Sequence, residues 1–396
     1  MSIGKGAFGQ SAKGSFIESA MGARGWKIVG GVAVLSGLGA NDRYIASLNP
    51  ATGDKIWEVS AGGLSGSATK WLAFNSSFQL FSGAVGSGTN SHIKRRSMVD
   101  GSIEATLTGY LRSNMSPIGN DIVFSSSDPT LGNSQSRVTP ALDGTFVWQY
   151  DAPNLSQTAD CVTDAAGNSY FVIANTFSNN VSLVEIQRWA LDKNGNLLWE
   201  VFQTTPVGAD GYTHSPVSGA LEVDDNYIYV ILVDIIYPAV FPFADRLLAV
   251  YRINKNTGAL FDTRATAFLD TADSNPGAQY RKPRLINGSL YVPLRRRTSG
   301  YDSIAKVNLS MVQTASIDMG STALIYTIDA LPADSIGTGD ILAVGNTSTT
   351  WPGSLGERAN CWRISSDLST IRWGVQVGEA TFNGMQGISS VHSSHT

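Results

Sequence analysis

The chain has 396 residues, of which 42% are hydrophobic and only 15% charged, with a formal net charge of −4. So much apolar material fills either two ordinary domains or one large ring-like domain, and a charge shortage made up by Gly, Ser, Thr and Asn favours turn-rich β-structure over long helices. The lack of a basic excess argues against general nucleic-acid binding, no apolar run reaches the length of a membrane-spanning helix, and Cys161 and Cys361, too few and too far apart for a disulfide framework, read as buried free thiols.

Residues 1–26 belong to no repeating unit. They are small, polar and turn-rich, and form an N-terminal arm expected to be held by the rest of the chain or by a neighbouring subunit. The glycines of "GAFGQSAKG" follow no strand, so they do not form a phosphate loop. Arg24 and Lys27 precede an apolar run and imitate a secretion signal, but the run begins late and is Gly-rich, so no cleaved signal peptide is expected. Residues 27–396 form the second domain.

The first strong element is "NPATGDKIWEV", Asn49 to Val59, a turn joined to a tryptophan. It recurs as "SMVDGSIEATL", "PALDGTFVWQY", "LDKNGNLLWEV", "NKNTGALFDTR" and "SSDLSTIRWGV", with the turn residue at Gly53, Gly101, Gly144, Gly195, Gly258 and Ser369. A further copy, "KVNLSMVQTASID" around Met311, has lost the turn glycine. Asp-Gly, Asn-Gly and Thr-Gly supply the positive φ of tight hairpins. Four residues after the turn stand Trp57, Ala105, Trp148, Trp199, Asp262 and Trp373. Alternate residues such as Phe146, Trp148, Tyr150 and Leu197, Trp199, Val201 predict one buried strand face, as do Ile371, Trp373 and Val375.

A second hairpin lies upstream of most copies, as in "FNSSFQLFSG", "SPIGNDIVFSS", "DCVTDAAGNSYFVIA", "ALEVDDNYIYVIL" and "PRLINGSLYVPL". Two hairpins make a four-stranded antiparallel unit, and such units bury their faces by radial stacking. The prediction is all-β: a seven-bladed β-propeller of units about 50 residues long. The first unit lacks a clear innermost strand, so a C-terminal strand, residues 387–393, is expected to close the ring.

The stretch "YIASLNPATGDKIWEVSAGG" resembles the repeat of the PQQ-like (quinoprotein-like) propellers; "WALDKNGNLLWEV" is close to it and "VYRINKNTGALFD" partly so. The resemblance implies the propeller fold, on which both enzymes and pure interaction proteins are built. The family's dehydrogenases carry an adjacent cysteine pair and a calcium-ligating acidic constellation; the isolated Cys161 and Cys361 depart from that pattern, so neither quinone nor calcium is carried over. The superfamily's outer-membrane assembly scaffold would need a lipoprotein signal, which is not found.

No catalytic chemistry is legible. His92, His214, His392 and His395 lack metal-ligand spacing, and no nucleophile elbow, zinc helix or phosphate loop occurs. Asp224, Asp225 and Asp164 fall at hairpin turns, where Asp is expected for its turn chemistry. No catalytic, cofactor-binding or metal-ligating residue is therefore assigned.

Two features suit binding. The stretch "DIIYPAVFPFAD", Asp234 to Asp245, reads as an apolar insertion, and partner contact falls on Ile235, Ile236, Tyr237, Phe241 and Phe243. Basic clusters at Lys94–Arg96, Arg281–Arg284 and Arg295–Arg297 read either as anion contacts or as arginines paired with nearby carboxylates. Polar, glycine-rich β-chains of this kind look like tailed-bacteriophage virion components. The expected function is non-enzymatic and structural: a virion protein of the tail nozzle, tail tip or capsid surface, docking on other virion subunits through its arm and apolar loop, without membrane insertion. The alternatives are a receptor- or glycan-binding propeller, with Tyr301 and Trp351 as candidate contacts, and a degenerate quinoprotein-like or hydrolytic enzyme.

Overall fold

The computed structural model describes residues 33–377, apart from 39–42, 61–67, 86–90, 129–131, 152–159, 177–182, 207–212, 238–244, 269–282, 296–301, 321–322, 331–338 and 348–357 and positions 50, 51, 78 and 110. Every regular element among them is a β-strand. A three-stranded sheet comes first, β1 (Ala33–Leu38), β2 (Arg43–Leu48) and β3 (Lys55–Ser60). Six four-stranded antiparallel blades follow in chain order. They are β4 (Ala68–Phe74) to β7 (Ile103–Thr108), β8 (Leu111–Ile118) to β11 (Phe146–Asp151), β12 (Asp160–Thr163) to β15 (Leu197–Pro206), β16 (Thr213–Val223) to β19 (Leu260–Phe268), β20 (Arg284–Ile286) to β23 (Gln313–Asp318) and β24 (Ala323–Ala330) to β27 (Ile371–Val377). The fold is a β-propeller with six such blades, where the sequence predicts seven. The first sheet has three strands among the described residues, and the expected closing strand, 387–393, lies outside them, as does the arm.

Within a blade each strand pairs only with its sequence neighbours. Strand direction therefore alternates, and the first–second and third–fourth connections share one end of the propeller, here the near end. The innermost strands β4, β8, β12, β16, β20 and β24 neighbour one another in that order. Side chains from facing sheets fill the space between them: Ile45 and Trp57 meet Leu72, Phe74 and Leu80, and Tyr170, Val172 and Ile186 meet Ile228, Val230 and Tyr251. The core is thus a set of apolar wedges between consecutive blades, and a sheet flanked on both sides buries both its faces.

The repeat seen in sequence is the third–fourth hairpin of each blade. Each has a bulge at the same place, as between Ser47 and Leu48, Ala190 and Leu191 or Lys306 and Val307. The residue that turns the chain is left-handed: Gly195 has φ 85° and Gly258 φ 69°, while Met311 holds φ 64° without being glycine. In the last hairpin this conformation falls on Leu368, φ 61°, not on Ser369, whose side chain instead bonds to Asp367.

These turns join the blades. The Trp57 ring lies over Gly101 of the next blade and its Nε1 donates to Met98 O at 2.9 Å. Trp148 treats Gly195 and Lys193 O in the same way, and Trp199 treats Gly258 and Lys255 O. A Cβ here would fall inside the ring, so glycine is needed for close approach as well as for φ. Where tryptophan is missing, a cation takes the next turn carbonyl. Arg95 reaches Pro140 O at 2.7 Å, Arg264 reaches Leu309 O, and Lys306 reaches Ser366 O at 2.9 Å. Trp373, in the last sheet, lies over Gly53 in the first.

Candidate functional site

The connections at the far end are mostly long, and the strands of two blades are drawn out toward it. β14 (Leu183–Leu191) and β15 have 9 and 10 residues; β16 and β17 (Tyr227–Tyr237) have 11 each, and β18 (Asp245–Asn254) has 10. β21 (Ser289–Arg295) and β22 (Asp302–Asn308), one blade on, have 7 each. At roughly 3.3 Å per residue the extra length lifts this part of the propeller by about 10 Å. Ile235, Ile236 and Tyr237 lie in the drawn-out end of β17. They pair with Ser215, His214 and Thr213 on one side, and Ile235 and Ile236 with Arg246 and Asp245 on the other. The strand continues four residues, Asp234 to Tyr237, into the stretch that the sequence suggests is a loop, because both flanking strands extend with it and keep its backbone paired. Phe241 and Phe243 lie outside the described residues.

The basic clusters separate. In β6 (His92–Arg96), His92, Lys94 and Arg96 are buried on one face. Arg96 donates to Ser82 Oγ at 2.9 Å and to Gly101 O at 2.9 Å. Burial, and then the neighbouring Arg96 charge, push the Lys94 ammonium down to about 8, and burial brings Arg96 to about 10. Arg95, on the other face, pairs with Glu104 at 3.0 Å. The run is therefore part of the blade interior rather than a surface for anions. Arg284, on the innermost strand of its blade, lies 2.5 Å from Glu222 and 3.4 Å from Asp329, so it links three blades near the propeller axis. Burial raises the Glu222 carboxyl, and the Arg284 charge opposes that rise. The side chains of Arg281, Lys282 and Arg295–Arg297 lie outside the described residues, as do Tyr301 and Trp351.

The turn carboxylates are occupied. Asp224 accepts the amides of Asn226 and Tyr227 at 2.8 and 2.7 Å and the Tyr229 hydroxyl at 2.6 Å. Asp164 accepts Ala166 N, Asn168 N and Tyr170 Oη–H at 3.0, 2.9 and 2.9 Å, and meets Lys255 of the next blade at 3.2 Å. Burial opposes ionisation of Asp164, but these donors prevail and hold its carboxyl below the usual range. Both tyrosine hydroxyls are pushed up, by burial first and then by their carboxylate partners. Cys161 and Cys361 are buried free thiols, raised in pKa chiefly by burial. Among the described residues no group of three His, Cys, Asp or Glu side chains could hold a metal ion, and no helix is long and apolar enough to cross a membrane.

The sequence reading missed a second surface. The exposed large apolar side chains among the described residues are Ile56, Val99, Ile103, Val147, Leu197, Leu198, Phe261, Val312 and Ile371. All stand within three residues of a third–fourth turn, so they ring the near end. The period-of-two argument places Leu197 and Ile371 on the buried face; they are 44% and 39% exposed. The outermost strand has no further strand beyond it, and burial begins only at the fourth residue after the turn, where the tryptophan stands.

No family model and no curated protein matches the chain. Solved structures do match it in fold. Cobalt-substituted apocarotenoid oxygenase from Synechocystis is 10% identical, with TM-score 0.51, over 91% of this chain and 93% of that one. A mutant of the same oxygenase aligns over the same shares at TM-score 0.52 and 10% identity. A protein of unknown function from Bacteroides caccae is 14% identical over 75% of this chain and 97% of that one, with TM-score 0.42. At such identities the likeness extends to the propeller fold alone.

Proposed function

We propose that the chain is a non-enzymatic propeller that works as a structural and docking subunit of a larger assembly, its partners being other subunits of that assembly. The observation that carries this reading is the asymmetry of the two ends. At the near end the turn carboxylates and cations are spent on holding turns and joining blades. The far end bears the long connections and the raised strands that carry Ile235, Ile236 and Tyr237. A raised apolar segment on a rigid platform is the usual anatomy of a protein contact. In the finer reading the first sheet is the seventh blade, the contact of Trp373 with Gly53 supports a closed ring, and the assembly is the virion of a tailed bacteriophage, at its tail or capsid surface. Low charge and glycine-rich polar β-structure support that setting.

The test is the mass of the purified protein in solution, by light scattering after size exclusion, for the full chain, for a chain lacking residues 1–23, and for the Ile235→Ser/Tyr237→Ser variant. A multimer of the 42.1 kDa chain that falls to the monomer mass of either altered chain, lower for the shortened one, is expected. A monomer in all three would overturn self-assembly and turn attention to the receptor- or glycan-binding reading, for which binding to a glycan panel is the direct measurement.

A further inference from the structure

In an Asn-Gly pair the glycine amide can approach the asparagine side chain with no Cβ of its own in the way. The chain has three such pairs, Asn194-Gly195, Asn287-Gly288 and Asn383-Gly384, and the last lies outside the described residues. The other two stand in turns at the near end with the asparagine exposed. Asn194 is in the third–fourth turn of its blade, and Asn287 is in the first–second turn two blades on.

The two turns are held differently. Around Asn194-Gly195 the backbone is clamped: Asn194 N donates to Asp192 Oδ1 at 2.8 Å, Asn196 N to the same oxygen at 2.9 Å, and Gly195 N to Asp192 O at 3.0 Å. The Trp148 ring covers Gly195, and Lys193 O accepts both Trp148 Nε1 and Arg137 Nη1 from the preceding blade. Rotating this peptide breaks bonds within the turn and disturbs the contact between blades. Asn287-Gly288 lacks such a clamp. Both residues have positive φ, 49° and 71°, and form the centre of a type I′ turn between Ile286 and Ser289. A Cβ on Gly288 would meet nothing within 4 Å, and the Gly288 amide has no hydrogen-bond partner among the described residues. Asn287 also gives up an unfavourable left-handed conformation when its peptide rotates.

We propose that Asn287 is a site of spontaneous deamidation in the folded protein, and that contacts with the preceding blade protect Asn194. The Gly288 nitrogen attacks the Asn287 side-chain carbonyl carbon and a new C–N bond closes a five-membered imide. The side-chain nitrogen leaves as ammonia, taking the Gly288 amide proton. Water then opens the imide at either carbonyl, leaving aspartate or isoaspartate, and no oxidant or reductant takes part. Isoaspartate routes the main chain through the former side chain and lengthens it by one carbon, so the two-residue turn no longer matches the Ile286↔Ser289 register. The strand that depends on this turn, β20, is only three residues long and carries Arg284, the link between Glu222 and Asp329. Modification at Asn287 thus loosens a tie between three blades. The inference does not depend on the proposed function.

Peptide mapping by mass spectrometry of the full native chain, stored in warm, mildly alkaline buffer, tests the assignment. Conversion at Asn287 is expected to be about tenfold or more faster than at Asn194, because only Asn194 must break contacts between blades to open. In urea the two sites are expected to convert at similar rates. Asp192→Ala removes the clamp and leaves the Asn287 turn untouched; it is expected to speed conversion at Asn194 in the native chain without changing Asn287. Equal rates in the native chain, faster conversion at Asn194, or no conversion at Asn287 overturns the proposal. A large difference that persists in urea also overturns it, since the cause would then lie in the local sequence and not in the fold, and an unchanged rate at Asn194 in Asp192→Ala overturns the protective role of the clamp.

Discussion

Gly195 and Gly144 occupy equivalent turns and have nearly the same backbone, φ 85° and 89°. They differ in what lies above them. A Cβ on Gly144 would meet nothing within 4 Å, because the preceding blade presents Ala105 there; a Cβ on Gly195 would fall 2.7 Å from Trp148 Cγ and 2.9 Å from Trp148 Cβ. Those atoms sit at the root of the side chain, so the ring cannot swing away and the strand itself must move. Gly144→Ala therefore costs only the left-handed conformation, about 1–2 kcal/mol. Gly195→Ala adds an overpacking cost of about 1–3 kcal/mol and strains the bond from Trp148 Nε1 to Lys193 O, 3.2 Å in the wild type. Urea unfolding at a common m-value reads the difference, expected to be about 2 kcal/mol. Trp148→Ala alone should cost about 3–5 kcal/mol, since Trp148 is only 8% exposed. With the ring gone the Gly195 clash disappears, so the double variant should fall short of additivity by about 2 kcal/mol. Equal costs for the two glycine variants, or additivity in the cycle, would refute the claim that ring-on-turn contacts join the blades.

Two further outcomes follow from the ion pairs. Asp340, at the start of the second strand of the last blade, is fully buried; its carboxylate receives Arg363 Nε at 2.7 Å and Arg372 Nε at 2.5 Å, and the Arg363 side chain is 3% exposed. Asp340→Ala leaves the Arg363 charge buried without its carboxylate and should cost about 3–5 kcal/mol in urea unfolding, and a loss below about 1 kcal/mol would mean that solvent reaches the site. Asp164, whose carboxyl is depressed in the folded state, contributes stability above the unfolded carboxylate pKa of about 3.9 and loses it as pH falls through the folded value. The stability gap between wild type and Asp164→Asn should thus be constant near neutrality and close in acid, and a gap that widens in acid would invert the assignment.

The near end was legible because its construction is local. A left-handed residue, an Asp or Asn accepting the amide two residues on, and a tryptophan four residues after the turn lie within one short stretch, and repetition made that stretch visible. Asp192 shows the economy, accepting Asn194 N and Asn196 N at 2.8 and 2.9 Å. What the tryptophan touches was not legible. The period of two places Trp148 on a buried face, but nothing within its own blade indicates Gly195 of the next one. The same blindness assigned the basic run Lys94–Arg96 two open readings, although strand alternation puts Lys94 and Arg96 on one side and Arg95 on the other; the choice between surface and interior lay in the neighbouring sheet.

The far end resists sequence reading for the opposite physical reason. Its connections differ in length from blade to blade and carry no common turn residue, so no copy informs another. The drawn-out strands β16 to β18 show what this costs: the prolines of "DIIYPAVFPFAD" suggest a loop from Asp234, yet pairing with β16 and β18 holds the strand to Tyr237. Backbone pairing across three strands outweighs a local loop signal, because each added residue brings ladder bonds on two sides while proline removes a donor only where it stands. A segment lifted in this way is rigid along its paired length. Under the docking role proposed above, a partner would meet Ile235 to Tyr237 on a backbone already paired on both sides at Ile235 and Ile236, and little conformational entropy would be lost there.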